Sequence, residues 1–350
     1  MGVGPLSGKN IDMAARHHTV PRFYLRNFAD ISGHLALVSR DVPSRPLRVS
    51  VGNVAVETGF YRIEPEDLAR EEDRARFDPE GVEAALSGLE AAIAPAIRSL
   101  VESGFDPSDH EVWYRLVQFA ALQTVRGNRW RNDFAALATQ SVRASLLGDL
   151  DEERVRSFLV GRGLPNGPGD VVAFVERLAS SKFPAVVPPQ AVLVQESLRM
   201  ALGDPEGEEM GLGQFLAGKE IELIVANRAA VLTSDEPVCW WSPGNRPIGY
   251  ATAQVVWVPL SPRLIVQFRD PAFDISAHGA PIEDPDKTVR MVNRLVASQA
   301  ERWIIHHPED VPLADLDLPP REVWGDEVLA VRDEDDVRRE LRIHRRRYTK

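Results

Sequence analysis

Cysteine is almost absent from the chain. Cys239 stands alone among 350 residues, so no internal disulfide can form and no cysteine-rich zinc site is available. Long apolar runs are missing too. No stretch of about 18 uninterrupted apolar residues occurs, and a membrane span is not expected. The opening Met1-Gly2-Val3-Gly4-Pro5-Leu6-Ser7-Gly8 has neither a charged start nor an apolar secretory core. These absences lead to an expected cytoplasmic location. Also lacking are a Gly-x-x-x-x-Gly-Lys loop, a dinucleotide fingerprint, a His-Glu-x-x-His pair and any internal repeat. No serine sits on a glycine-rich elbow. The sequence therefore carries no motif whose spacing dictates a reaction, and it identifies no cofactor and no metal site.

Positive charge is outnumbered, with 41 Lys and Arg against 52 Asp and Glu. The net charge is −11, which argues against bulk non-specific binding of nucleic acid. The distribution is uneven. Residues 1–50 hold seven Lys or Arg against three Asp or Glu, and residues 337–350 hold seven against one. A phosphate-bearing ligand or a nucleic acid is the partner that such a basic N-terminal patch and basic tail would meet. The alternative is a merely solvated surface.

The densest chemistry lies in residues 17–28. Pro21 suits the first turn of a helix. Tyr24, Leu25 and Phe28 follow it at helical spacing and make an aromatic face. His18 precedes the helix, with Arg16, Arg22 and Arg26 around it. A histidine with basic neighbours at a helix start can bind or act on a phosphate or carboxylate. It can equally hydrogen-bond the helix end, with Arg22 and Arg26 in solvent.

The middle of the chain reads as helical. Residues 80–103 carry the stripe Val82, Leu86, Leu89, Ile93, Ile97 and Leu100. Glu83 and Glu90 fall together at its edge, about 10 Å apart along the axis. That is too far for one metal ion without a third ligand, and suits salt-bridge partners of buried arginines. Residues 109–147 form the longest helical region. Val112, Leu116, Phe119, Gln123, Arg126, Trp130, Phe134 and Leu137 fall in one narrow sector, so Gln123 and Arg126 lie on a buried face. A buried guanidinium keeps its charge and must find a carboxylate or a bound anion. Two readings follow: a structural pair with Glu83 or Glu90, or a clamp on an anionic ligand. Gly127 marks a kink or break just beyond.

Short apolar runs are expected to be strands at 35–38, 49–51, 58–63, 222–226, 230–233, 255–260 and 264–268, with Asn227-Arg228 as a hairpin turn. Residues 286–306 read as one helix. Thr233-Ser234-Asp235-Glu236-Pro237 lies at a strand end. Asp235 there is a base or metal ligand on one reading and a turn-stabilising residue on the other.

Taken in order, His18-x-Val20-Pro21-x-x-Tyr24-Leu25-x-x-Phe28, Gln123-x-x-Arg126 and Thr233-Ser234-Asp235-x-Pro237, with Pro259-Leu260-Ser261-Pro262 after them, resemble the signature of a family of bacterial proteins, domain of unknown function 4238. The resemblance reaches from about His18 to about Trp303. It implies a helical middle part between strands. The chain departs from it at Glu236, where the family more often has an amide. The family carries no activity to transfer.

The expected fold is α+β, predominantly helical, with a small, mostly antiparallel sheet in which the N-terminal strands and those at 222–268 meet. Residues 1–14 are expected as a flexible tail and 15–310 as one domain, with a helical middle at 80–203 and a strand-rich part at 220–270. Residues 311–350 are expected as an acidic, proline-rich linker and a basic C-terminal helix or tail. One polar pocket is expected, with His18 and Asp235 as catalytic groups and Arg22, Gln123, Arg126 and Ser234 binding substrate. Two functions stand: a hydrolase or nuclease-like enzyme acting on a phosphate-bearing substrate, or a non-catalytic binding protein whose buried polar residues are structural.

Overall fold

The computed structural model describes residues 16–348 except 44, 69, 75–76, 105, 107, 150–151, 180–184, 205–206, 208, 244–248, 275–283, 315, 319–321 and 333–337. The expected tail at 1–14 lies outside the described residues. In chain order the elements are β1 (Arg16–His18), α1 (Arg22–Leu25), β2 (His34–Ser39), β3 (Leu47–Ser50), β4 (Val56–Thr58), α2 (Glu71–Arg74), α3 (Gly81–Ser103), α4 (His110–Val125), α5 (Asn128–Asp149), α6 (Glu152–Gly161), α7 (Pro168–Ala179), α8 (Gln190–Leu202) and α9 (Leu212–Ala217). Then follow β5 (Glu220–Val225), β6 (Thr233–Ser234), β7 (Cys239–Trp241), β8 (Val255–Ser261), β9 (Leu264–Arg269), α10 (Pro285–Gln299), β10 (Trp303–His306), β11 (Glu322–Arg332) and β12 (Arg338–Tyr348). The fold is α+β with helix predominant.

Two four-stranded antiparallel sheets take the place of the one sheet expected. The first runs β3-β2-β10-β6 and the second β5-β9-β8-β7. The division falls between β5 and β6. Asn227 and Arg228 do not form a hairpin turn, because the backbone N–H groups of Asn227, Arg228 and Ala229 donate to the Asp286 carboxylate at the start of α10. That anchor carries the chain from one sheet to the other. Val231 N–H donating to Pro262 O at 2.9 Å keeps the sheets joined.

Short helix α1 lies in the main core. Tyr24, Leu25 and Phe28 are fully buried with Leu116, Phe119 and Ala120 of α4 and Val256, Val258 and Leu260 of β8, while Arg22 and Arg26 stay exposed. Burying each large side chain contributes about 1.5–3 kcal/mol, so this short segment is fixed by packing rather than by helix propensity. Helix α3 is long and apolar enough to cross a membrane by length and composition, although an uninterrupted apolar run is lacking. Here Leu86, Ile93, Ala96, Ile97 and Leu100 are buried inside the protein. Asp109 caps α4, accepting from Val112 N at 3.1 Å. The long helical region breaks at Arg126-Gly127 into α4 and α5.

Three further expectations change. Residues 58–63 are strand only through Thr58. The helix expected over 286–306 ends at Gln299, and Trp303–His306 is a strand paired with β2 and β6. The expected C-terminal helix or tail is instead β12, paired antiparallel with β11 from Glu322↔Tyr348 to Arg332↔Arg338. Glu340-Leu341-Arg342-Ile343-His344 alternates with a strand period in β12, and Val328-Leu329-Ala330-Val331 is a short apolar run in β11.

Candidate functional site

The three sequence motifs meet in space. Tyr24 is fully buried, and its hydroxyl lies 2.6 Å from Thr233 Oγ1 and 2.7 Å from Pro259 O. A carbonyl can only accept, so the tyrosine proton goes to Pro259 and Thr233 donates to Tyr24. Burial raises the Tyr24 hydroxyl far above its ordinary range and keeps it a donor. Asn27 Nδ2 donates to Leu260 O at 3.0 Å. The N-terminal motif is thereby tied to Thr233–Pro237 and to Pro259–Pro262.

Arg126 closes α4 and is buried. Its Nη1 pairs with Glu90 Oε1 at 2.5 Å, its Nε donates to the Tyr61 hydroxyl at 2.8 Å, and its Nη2 donates to His18 O at 3.1 Å. The partner is thus Glu90, one of the two glutamates on α3, together with the N-terminal backbone. Tyr61 joins the set a second time, since its N–H donates to His17 Nδ1 at 2.8 Å. Tyr61 was not singled out in the sequence. It lies in a turn after β4, where no periodicity marks it. Gln123, one turn earlier, is buried, and its Oε1 has no partner among the described residues.

Ser234 and Asp235 serve other contacts. Ser234 Oγ accepts from Glu236 N at 3.0 Å and donates to Glu236 O at 2.9 Å, a local turn. The Asp235 carboxylate accepts from Glu301 N, Arg302 N and Trp303 N at 3.1, 2.8 and 3.1 Å. Burial pushes Asp235 up to about 7, against the pull of those three donors. Among the described residues neither side chain is bonded to Arg126.

Glu236 is the buried acid that the sequence flagged only as a departure from the family pattern. Its carboxylate lies against Gly127, where a Cβ would collide with it, and Oε1 accepts from Arg129 N at 2.8 Å. Burial first, and then the neighbouring Asp235, hold Glu236 well above the usual carboxylate range. An acid followed by proline inside an apolar run was the available signal.

His18 has its Nδ1 buried without a partner among the described residues. Burial first, and then the positive charges of Arg22, Arg126 and Arg16, together lower its pKa to about 4. The three arginines all disfavour a charged ring, and His18 is neutral at pH 7. Arg22 is exposed, lies against Gly52, and its guanidinium makes no hydrogen bond among the described residues. His18 and Arg126 are therefore neighbours, but through the His18 carbonyl and not its ring. Among the described residues no group of three or more His, Cys, Asp or Glu side chains is placed to share a metal ion. A cavity of about 10 Å³ adjoins Arg126 and Tyr61, bounded by Leu86, Leu122 and Leu198.

This geometry defines an α+β protein whose motif residues bridge an N-terminal segment, a helical layer and two sheets. The chain belongs to the family described as protein of unknown function (DUF4238), whose model matches residues 16–310. No curated protein and no solved structure gives a match.

Proposed function

We propose that the chain is a non-catalytic binding protein in which the motif residues hold its layers in register. Arg126 supports this reading best. Each guanidinium nitrogen already has a protein partner, and the adjoining space of about 10 Å³ suits no more than one water. An anion clamp needs a free N–H edge in a space that admits the anion. Asp235 likewise gives its carboxylate to backbone N–H groups. Buried, unpaired Cys239 fits an intracellular setting, which is part of this proposal. Melting temperatures of the wild type and Arg126→Gln, with and without pyrophosphate and short nucleic acids, test the reading. The expected result is no ligand shift in the wild type and a melting point several degrees lower in the variant. A wild type stabilised by pyrophosphate, with a variant that melts normally but does not respond, would overturn it, since such stabilisation reports binding to the native state.

A second reading is an enzyme of hydrolase or nuclease type acting on a phosphate-bearing substrate. It draws on His18 and Arg22: a neutral imidazole with a nitrogen unpartnered among the described residues, the positive charges of Arg22, Arg126 and Arg16 around it, and the exposed guanidinium of Arg22. A neutral histidine can take a proton at pH 7. The basic N-terminal patch and C-terminal strand would then meet the ligand. Cleavage of a phosphodiester substrate lost in both His18→Gln and Arg22→Ala would favour this reading. Turnover unchanged by either variant, or absent in the wild type, would remove it.

A further inference from the structure

Away from the motif residues, α5, α8, α9 and the turn before β8 enclose an open groove of about 490 Å³. That volume lies within the usual range for small-molecule sites, about 300–1,000 Å³. Its walls include Trp130, Phe134, Met200, Met210, Phe215 and Tyr250. The aromatic rings are held by partners on the protein side. Trp130 and Phe134 stack with centroids 5.1 Å apart, and Tyr250 stands edge-on to Trp240 at 5.0 Å. Lys219 Nζ lies 4.4 Å from the Phe215 ring centre. The two methionines are adaptable: Met200 is 37% and Met210 81% exposed. Among the described residues Trp130 Nε1 donates only to Met200 Sδ, at 3.1 Å, and a thioether is a weak acceptor.

Charge narrows the ligand further. Among the described residues that line the groove Arg199 is the one cation, and it is paired with Glu196 at 2.7 Å and Glu209 at 2.5 Å, while Lys219 is no lining residue and gives its Nζ to Ala253 O. Two carboxylates flank one guanidinium, so the described lining residues carry an excess of negative charge. Aromatic faces attract cations as well.

We propose that this groove binds a planar aromatic small molecule that carries no negative charge, with aromatic cations preferred. The inference rests on reading the chain as a binding protein and adds the ligand class. It differs from the phosphate-bearing ligand that His18 and Arg22 would meet.

The test is a titration of the full chain with proflavine, a planar aromatic cation, followed by fluorescence anisotropy, with naphthoate as the planar anion. Met210→Lys and Met210→Glu are the variants, because an 81% exposed side chain can change without disturbing the core. The expected result is saturable one-to-one binding of proflavine, at least tenfold tighter than naphthoate. Met210→Lys should weaken proflavine at least threefold and Met210→Glu should strengthen it. Proflavine bound equally by all three chains would place binding elsewhere and overturn the groove while sparing the wider reading. No saturable binding, or naphthoate bound as tightly as proflavine, would also overturn the groove inference. Cleavage of a phosphate ester by a chain whose proflavine binding follows the Met210 charge would keep the groove and remove the wider reading.

Discussion

Tyr24 and Thr233 lie 209 positions apart and share a 2.6 Å hydrogen bond inside the core. The tyrosine proton goes on to Pro259 O, so one hydroxyl ties α1 to both sheets. Tyr24→Phe keeps the ring packing but strips Thr233 and Pro259 of a partner. A buried polar group left unsatisfied costs about 1–3 kcal/mol, and that loss is expected in urea unfolding. Thr233→Val added to Tyr24→Phe should cost less than the sum of the two single changes, because the pair is then removed together. Additive losses would show that the two hydroxyls act separately.

Glu236 and Asp235 make the stability depend on pH in a stated direction. Both carboxyls are raised in the folded chain, Asp235 to about 7. A carboxyl in the unfolded chain titrates near about 4. Their contribution is therefore fully present below about pH 4 and is lost as pH rises toward 7 and beyond. Glu236→Gln keeps an oxygen for Arg129 N and removes the buried charge. It is expected to stabilise the chain at pH 8 by about 1 kcal/mol or more, since one pKa unit corresponds to about 1.4 kcal/mol. Near pH 4 it should match the wild type. Equal stability of the two proteins at both pH values would contradict the buried-acid account.

Gly127 and Glu236 exclude one another's growth. A methyl group at position 127 collides with the Glu236 carboxylate, and overpacking of that kind costs about 1–3 kcal/mol. Gly127→Ala should lose about that much in the wild type. In a Glu236→Ala background it should lose far less, because the space is then open. Equal losses in both backgrounds would mean that Gly127 is needed for its backbone and not for its neighbour.

Periodicity carried the helical part of this fold well. The angular placement of Gln123 and Arg126 on the apolar sector of residues 109–147 predicts their burial, and both are buried. Glu83 and Glu90 on one edge of α3 predict an acid for Arg126, and Glu90 supplies it. What periodicity missed was decided by contacts across the chain. The stripe Val296, Gln299, Trp303 continues at helical spacing past the real end of α10. The backbone N–H groups of residues 301–303 are taken by Asp235, 66 to 68 positions away. In the same way Asp286 gathers the N–H groups of 227–229 and prevents the hairpin. Strand β6 spans only Thr233–Ser234, too short to show alternation. A distant carboxylate that captures a run of backbone N–H groups leaves no local pattern, so the sheet order could not be read from spacing. The convergence of the motifs was legible only as an order of short signatures.

The account stands on Arg126 as part of the protein's frame and not as a ligand clamp. The most direct measurement is a double-mutant cycle in urea with Glu90→Gln, Arg126→Gln and the pair, run with and without pyrophosphate. Removing one partner of a buried ion pair costs about 3–5 kcal/mol, and coupled partners show about 0.5–3 kcal/mol of interaction energy. The account predicts a loss toward that upper range for Arg126→Gln and a clear coupling with Glu90. It also predicts no response of any of the four proteins to pyrophosphate. An Arg126→Gln variant as stable as the wild type, without coupling to Glu90 and with a pyrophosphate response lost from the wild type, would contradict it.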